Sequence, residues 1–182
     1  GCLGVLWTGI SGFAVALAVM MYLARMFFIT AFYHRYFSHR AFESSRPLRF
    51  LFAVLGCTAG QRGPLWWASH HRQHHIHSDT ELDPHSPQTD TFWFSHVLWF
   101  LTRDAFSIRW GQIGDLRKIR ELVWLERVDW LPLVVFAVLC FFLGEWAAAA
   151  YPEWQTSGWQ ALVWGFFIST TVLYHATYTI NS

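Results

Sequence analysis

Three long apolar stretches are separated by segments of mixed polarity along the chain. The first contains one charged residue, Arg25, the second contains Glu145, and the third has no Lys, Arg, Asp or Glu. A helix needs about 20 apolar residues to cross the hydrocarbon core of a bilayer. We therefore predict membrane-spanning helices at roughly 13–32, 130–150 and 159–180.

The section between the first two spans holds four shorter patterns. One is an apolar segment too short to cross a membrane, which predicts a re-entrant or interface-lying piece. The others indicate a helix, an aromatic interfacial helix and an amphipathic stretch. In chain order the four lie at 47–60, 66–77, 91–101 and 117–129. With the spans they predict an all-α membrane protein of one domain, 1–182, carrying a polar cap at 34–129.

The composition is typical of a membrane protein. The chain has 182 residues, of which 54% are hydrophobic and 19% aromatic, more apolar surface than a soluble core of this size hides. Of the 13 Lys and Arg residues, all but Arg25 lie between Arg35 and Arg127. Basic residues concentrate in cytoplasmic loops of membrane proteins, so we expect the cap on the cytoplasmic side. The net charge of +1 gives no indication of nucleic-acid binding.

Nine of the ten histidines lie in the cap, and one group of them has helical spacing. His71, His74 and His75 stand at i, i+3 and i+4, so on a helix they share a face and can converge on a metal. His70, His74 and His77 also form a face. The spacing alone leaves both sets open.

That set is the second histidine group in chain order, and the first histidine group lies nearer the N-terminus. His34 and His39 are five residues apart, which separates them by about 140° on an ideal α-helix. They would therefore serve different metals unless the helix bends between them.

Imidazole is the donor that these groups share, and it indicates the kind of metal. The three cysteines are far apart and match neither a metal site nor a disulfide framework. A histidine-rich cluster without cysteine, and with more than four donors, favours redox iron over structural zinc. Three spans return the end of the chain to the side of the cap, so Asn181 is available to the same site.

Four motifs together resemble the membrane-bound fatty acid desaturases. They are HRYFSH, GQRGPLWWASHHRQHH, DPHSP and FWFSHVLWF, and the similarity extends from about Arg25 to Ser182. The chain is most similar to the acyl-CoA (stearoyl-type, delta-9) branch of bacteria and animals. The pairing of HxxxxH with HxxHH at this separation is specific, whereas either box alone is only suggestive.

The resemblance implies a fold, a cofactor and site residues. The fold is a transmembrane helix bundle whose helices extend into a cytosolic, histidine-rich cap, and the cofactor is a centre of two iron ions. The implied iron ligands are His34, His39, His71, His74 and His75, with Asn181 acting through water. Substrate-tunnel positions are Gln61, Trp99 and Thr177. Positions near the substrate headgroup are Arg62, His70 and Arg72.

The implied reaction is O₂-dependent insertion of a cis double bond into a saturated chain. The substrate is a long-chain acyl-CoA or acyl-lipid, and electrons come from an external donor of ferredoxin or cytochrome b5 type and its reductase. The active site faces the cytoplasm, at a bacterial inner membrane. Membrane lipid is a further expected partner, and nucleic acid is not.

Two further expectations concern completeness and alternatives. The third histidine box of the family is missing before Ser182, and the front lacks much of a first span, so we expect a fragment truncated at both ends and inactive alone. The first alternative is a histidine-box hydroxylase or ketolase. The second is a non-enzymatic membrane protein that binds haem or metal.

Overall fold

The computed structural model describes residues 1–78, Thr80, Asp83 and 91–181, without the side chains of residues 180 and 181. Within these residues every regular element is helical, which confirms the predicted all-α class. The helices are α1 (Val5–Thr8), α2 (Gly12–Ser38), α3 (Arg46–Cys57), α4 (Pro64–His77), α5 (Arg120–Arg127), α6 (Trp130–Ala150) and α7 (158–181). Short helical turns connect α4 to α5 at Phe94–Leu98, Trp99–Leu101, Asp104–Phe106, Trp110–Ile113 and Leu116–Lys118.

Two helices, α2 and α6, are long and apolar enough to cross a membrane. Their outer faces leave large apolar side chains uncovered: on α6, Leu139 is 60% and Phe142 62% exposed. Such a continuous apolar surface is stable against lipid and not against water. Helix α2 continues to Ser38, six residues past its predicted end at residue 32. The third predicted span, 159–180, lies within the helical run of α7 and stays a prediction.

A buried arginine in α2, Arg25, contacts both α6 and α7. The Arg25 guanidinium in α2 donates through Nη1 to the Thr58 carbonyl oxygen at 3.2 Å and to Thr170 Oγ1 at 2.6 Å. Its Nη2 donates to Ser169 Oγ, and its Cζ lies 4.6 Å from the centre of the Phe136 ring. Charged groups inside a membrane protein face the bundle and bond to neighbouring acceptors. Arg25 therefore fixes α2 against α6 and α7.

Helix α3 packs on the last turns of α2. The Phe32 and Phe52 rings stack with centroids 3.7 Å apart, and the Tyr33 hydroxyl donates to the Ala53 carbonyl oxygen at 3.2 Å. Glu121 of α5 receives hydrogen bonds from both arginines at the start of α3, Arg46 and Arg49. The predicted interface-lying segment 47–60 is thus a helix held between α2 and α5.

The start of α4 is capped by a side chain from another helix. Glu126 of α5 accepts hydrogen bonds from the backbone N–H groups of Leu65 at 2.7 Å and Trp66 at 3.2 Å. The first N–H groups of a helix have no partner within it, and a carboxylate there also interacts favourably with the helix dipole. Since α4 carries the second histidine group, Glu126 fixes where that group begins.

We expect Glu126→Ala to lower the free energy of unfolding by about 1–3 kcal/mol, because two backbone N–H groups lose their acceptor. Burial is the main cause that raises the pKa of Glu126 from 4.5 to about 7. The folded chain then binds this proton more tightly than the unfolded chain, so wild type gains stability as pH falls through that interval and loses it as pH rises. The free energy of unfolding of wild type should therefore exceed that of Glu126→Ala by more at pH 5 than at pH 8.

Thermal denaturation of the detergent-solubilised protein at both pH values measures this difference. Glu153→Ala, which removes an exposed carboxylate outside the cap, is the matched control. A difference that shrinks on acidification would contradict the assignment of Glu126.

Candidate metal centre

A widened helical turn brings the first two histidines together. The end of α2, Phe28–Ser38, is a π-helix, in which hydrogen bonds join residues five apart. The His39 N–H donates to the His34 carbonyl oxygen at 3.1 Å, and Ser38 Oγ donates to the Tyr33 carbonyl oxygen at 2.8 Å. Residues five apart are therefore stacked, and the Nε2 atoms of His34 and His39 lie 3.0 Å apart. The separation of 140° expected for an α-helix does not apply.

Helix α4 adds two more imidazoles to this pair. His71 Nε2 lies 3.1 Å from His39 Nε2 and 3.0 Å from His75 Nε2. The ligand atoms of His34, His39, His71 and His75 all lie within 4.8 Å of one another. We call these four residues the histidine cluster. It resolves the ambiguity left by the sequence: His71 and His75 point to the first histidine group, while His70 Nε2 lies 3.0 Å from the Ser107 carbonyl oxygen.

The spacing of neighbouring nitrogens in the histidine cluster, and the lowered pKa of His34, His71 and His75, suit a transition metal. Bonds from imidazole to zinc are about 2.0–2.1 Å long, so two ligands at right angles have nitrogens about 2.9 Å apart, close to the spacing observed. Burial first, and the neighbouring histidines second, lower the pKa of His71 to about 2, and the same causes lower the pKa of His75. Both rings are thus neutral at physiological pH, which is the form that binds metal.

The fifth predicted histidine has a carboxylate partner. His74 Nδ1 lies 2.9 Å from Asp83 Oδ2, and His74 is not one of the four cluster residues. Its ring is 5.6 Å from that of His75, so it borders the cluster. Asn181 ends α7, and its side chain lies outside the described residues.

Arg72 links the two histidine-bearing helices. It donates to the carbonyl oxygens of Phe37 at 2.6 Å and Ser38 at 3.0 Å, at the end of α2, and to both carboxylate oxygens of Asp115. Partial burial opposes ionisation of Asp115, but the hydrogen bonds and charge of Arg72 lower its pKa to about 2. The Arg72 side chain is only 12% exposed. These contacts make Arg72 a clamp between the boxes, and its predicted headgroup role stays a prediction.

A narrow cavity adjoins the cluster on its buried side. Gln61 Nε2 donates to Thr177 Oγ1 at 3.1 Å, and Trp67 Nε1 donates to Gln61 Oε1 at 3.2 Å. The Trp67 ring stacks on His71 with centroids 4.7 Å apart. The cavity has a volume of about 30 Å³ and is lined by Gln61, Trp66, Trp67, His70, His71, Trp99, Thr177 and Tyr178. All three predicted tunnel residues therefore lie in its wall.

A wider cavity lies beside the narrow one and shares Gln61, Trp66 and Tyr178 with it. Its volume of about 320 Å³ falls in the usual range of ligand pockets, and its remaining lining residues are Gly60, Arg62, Phe100, Leu101, Ala105, Phe106 and Tyr174. Arg62 is the basic residue in this wall. It has a left-handed backbone conformation with φ of 67°. Its Nε atom lies 3.6 Å from Asp129 Oδ2. Strain of this kind in a non-glycine residue clusters at functional sites.

Comparison with known proteins gives this arrangement a family. The family model for fatty acid desaturases matches residues 10–180. The chain belongs to the fatty acid desaturase family. The sequence prediction of the family is thereby confirmed, and the histidine cluster is formed by the HxxxxH and HxxHH boxes of a desaturase chain.

Several curated desaturases are similar to this one over most of its length. A probable lipid desaturase (chloroplastic) of Arabidopsis thaliana is 36% identical over 157 residues, which are 85% of this chain and 40% of that protein. The acyl-CoA 5-desaturase AL21 of Anemone leveillei is 36% identical over 162 residues, 86% of this chain and 46% of that protein. The sn-2 palmitoyl-lipid 9-desaturase of Nostoc sp. (strain 36) is 34% identical over 158 residues, 82% and 50% respectively. The desaturase chain thus spans about half the length of these relatives or less.

The sequence analysis did not identify Trp67, which contacts the histidine cluster and lines the narrow cavity. Its ring stacks on His71 while its indole N–H holds Gln61. One signal was present in the sequence: Trp67 precedes His71 by four residues on the same helix, so the two side chains share a face. That spacing could not reveal the partner Gln61, which precedes α4.

We expect Arg72→Met to destabilise the desaturase chain by about 2–3 kcal/mol, because Asp115 and two carbonyl oxygens lose a charged donor. The variant should also bind less metal, although no ligand is removed. Thermal denaturation and metal analysis of the purified protein measure the two effects. Arg117→Met, at an exposed position, is the matched control. Unchanged metal content in Arg72→Met would contradict the clamp role.

Proposed function

We propose that this chain is part of a desaturase that inserts a cis double bond, of the delta-9 type, into a saturated acyl chain at a di-iron centre. One observation carries the proposal: imidazoles of two histidine boxes converge at the end of a buried, largely apolar cavity. A saturated chain has no polar group near the reacting carbons, so its position must come from the shape of the cavity. A metal beside such a cavity suits chemistry on unactivated methylenes.

The proposed ligands are the histidine cluster, His74 and, through water, Asn181. Iron bound there supplies the activation of O₂ and the oxidising power for removal of two hydrogens. The protein supplies neutral imidazoles and keeps the surroundings dry with Trp67, Phe37 and Tyr33. It also fixes the two boxes relative to each other through Arg72. The electrons come from an external donor of ferredoxin or cytochrome b5 type and its reductase.

The cavities supply the proposed path of the acyl chain. The chain would enter the wider cavity at the rim formed by Arg62 and Phe106, pass Gln61 and Thr177, and reach the metal beside His71. Gln61 connects two parts of this wall, because it donates to Thr177 Oγ1 and accepts from the Trp67 N–H. Two different helices and the loop before α4 are thus held at the point where the reacting carbons would lie.

The carrier of the acyl chain is a coenzyme A thioester or a membrane lipid. The relatives bear names of both kinds, and Arg62 at the rim can meet an anionic group of either. His70 is buried against Trp66 and Trp99, so its proposed contribution is the shape of the wall near the headgroup. The proposed arrangement has spans at 13–32, 130–150 and 159–180, with the cap 34–129 on the cytoplasmic side of a bacterial inner membrane.

The first test is activity of the protein expressed from its complete gene in cells that make little unsaturated fat. We expect new cis mono-unsaturated chains by gas chromatography with mass spectrometry, and their loss in His71→Ala, because a neutral, buried ligand is removed. His77→Ala is the matched control on the same helix and should retain product. Hydroxylated chains would instead assign the protein to the oxygen-inserting alternative. A profile equal to that of empty cells, with iron and donor supplied, would refute the proposal.

A second variant tests the path. Gln61→Ala removes both the acceptor of Trp67 and the donor to Thr177, which enlarges the narrow cavity beside His71. We expect activity to fall about 10-fold or more, because misplacement of reacting groups by about 1 Å has effects of that size. The remaining product should show a broader range of double-bond positions in the same chromatographic analysis. Product with the wild-type position and yield would exclude Gln61 from the path.

A further inference from the structure

Two residues beyond the end of α4, Thr80 and Asp83, have described contacts with the helix or with each other. The Thr80 N–H donates to the His77 carbonyl oxygen at 3.0 Å, and the Asp83 N–H donates to the Thr80 carbonyl oxygen at 2.9 Å. The Thr80 hydroxyl also donates to the His77 carbonyl oxygen, at 2.7 Å. Asp83 also contacts His74, nine positions before it in the sequence.

The contact between these two residues is shielded from solvent. The Asp83 side chain is fully buried and that of His74 is 16% exposed, with Nδ1 and Oδ2 2.9 Å apart. A buried carboxylate is costly unless hydrogen bonds compensate it. Its orientation toward a histidine of the second box is therefore a specific feature of this loop.

The contact also determines which nitrogen of His74 carries the hydrogen. A carboxylate has no hydrogen to donate, so the hydrogen of the neutral imidazole lies on Nδ1 and is donated to Asp83. The lone pair is then on Nε2, the same nitrogen that the cluster residues direct at one another. All five imidazoles consequently offer a metal the same ring atom.

We propose that Asp83 is a positioning residue of the metal centre, which holds His74 in the Nε2-ligating tautomer and in a fixed ring orientation. The inference rests on the metal centre of the proposed function. The five predicted histidine ligands then fall into two groups. The rings of the histidine cluster orient one another, whereas the ring of His74 is oriented by Asp83. A carboxylate that accepts from a ligating histidine also makes the ring a stronger donor to metal.

A purely structural role for Asp83 makes a different prediction. If the carboxylate only held the loop against α4, its removal would lower stability and leave the affinity for metal unchanged. If it orients His74, its removal changes affinity through His74 and only in the presence of that ring. Metal affinity and a double-mutant cycle therefore separate the two roles.

The experiment is a titration of the purified, metal-stripped, full-length protein with Fe²⁺, and in parallel with Co²⁺, whose absorption spectrum reports ligand geometry. The variants are Asp83→Ala, Asp83→Asn, His74→Ala and the double variant Asp83→Ala/His74→Ala. Asp104→Ala, at the exposed first residue of the short helical turn Asp104–Phe106, is the matched control. Circular dichroism and thermal denaturation of each variant establish that the fold is retained.

We expect Asp83→Ala to weaken metal binding about 10- to 100-fold, the usual effect of losing such a partner, and to change the Co²⁺ spectrum. Asp83→Asn should retain most of the affinity, because its amide oxygen accepts the same hydrogen bond. The double variant should bind no more weakly than His74→Ala, since Asp83 acts through that ring.

Wild-type affinity in Asp83→Ala would overturn the inference and leave the metal centre intact. Additive losses in the double variant would overturn it as well, because Asp83 would then act independently of His74. Failure of the wild-type protein itself to bind metal would refute the proposed centre and this inference together.

Discussion

The π-helical turn at the end of α2 is the constraint on which the metal centre depends. Its hydrogen bond from the His39 N–H to the His34 carbonyl oxygen spans five residues, which widens the turn and brings the two rings together. An α-helix would direct the two rings apart, and no movement of α4 could then bring both into one cluster. The same π-helix carries Tyr33, whose hydroxyl contacts α3 at Ala53. Packing of the bundle therefore supports a helical form that is less stable in isolation.

Two charged side chains set the second box against this turn. Glu126 fixes the first turn of α4 through backbone hydrogen bonds, and Arg72 fixes its middle against the carbonyl oxygens of Phe37 and Ser38. The two anchors lie on either side of Trp67, so the helix can neither slide nor rotate without breaking one of them. His71 reaches the first box because the helix that carries it is held in this way.

The histidine cluster and the narrow cavity share the side chain of His71. His71 belongs to the cluster and stacks on Trp67, which holds Gln61, which in turn holds Thr177 of α7. A change in any of these residues would alter both the histidine cluster and the narrow cavity. The proposed metal centre and the proposed substrate path are thus coupled through one row of side chains.

The amino-acid sequence alone determined the helical class, the apolar spans α2 and α6, the family and the residue types of the site, because these follow from composition, periodicity and motif spacing. It left open which face of α4 meets the first histidine box, and it did not reveal the partners of Arg72. It also missed Trp67. Those points depend on contacts between residues far apart in the chain, such as Arg72 with Phe37 and Asp115. Only the packed helices decide them, because local spacing fixes which side chains share a face but not what that face meets.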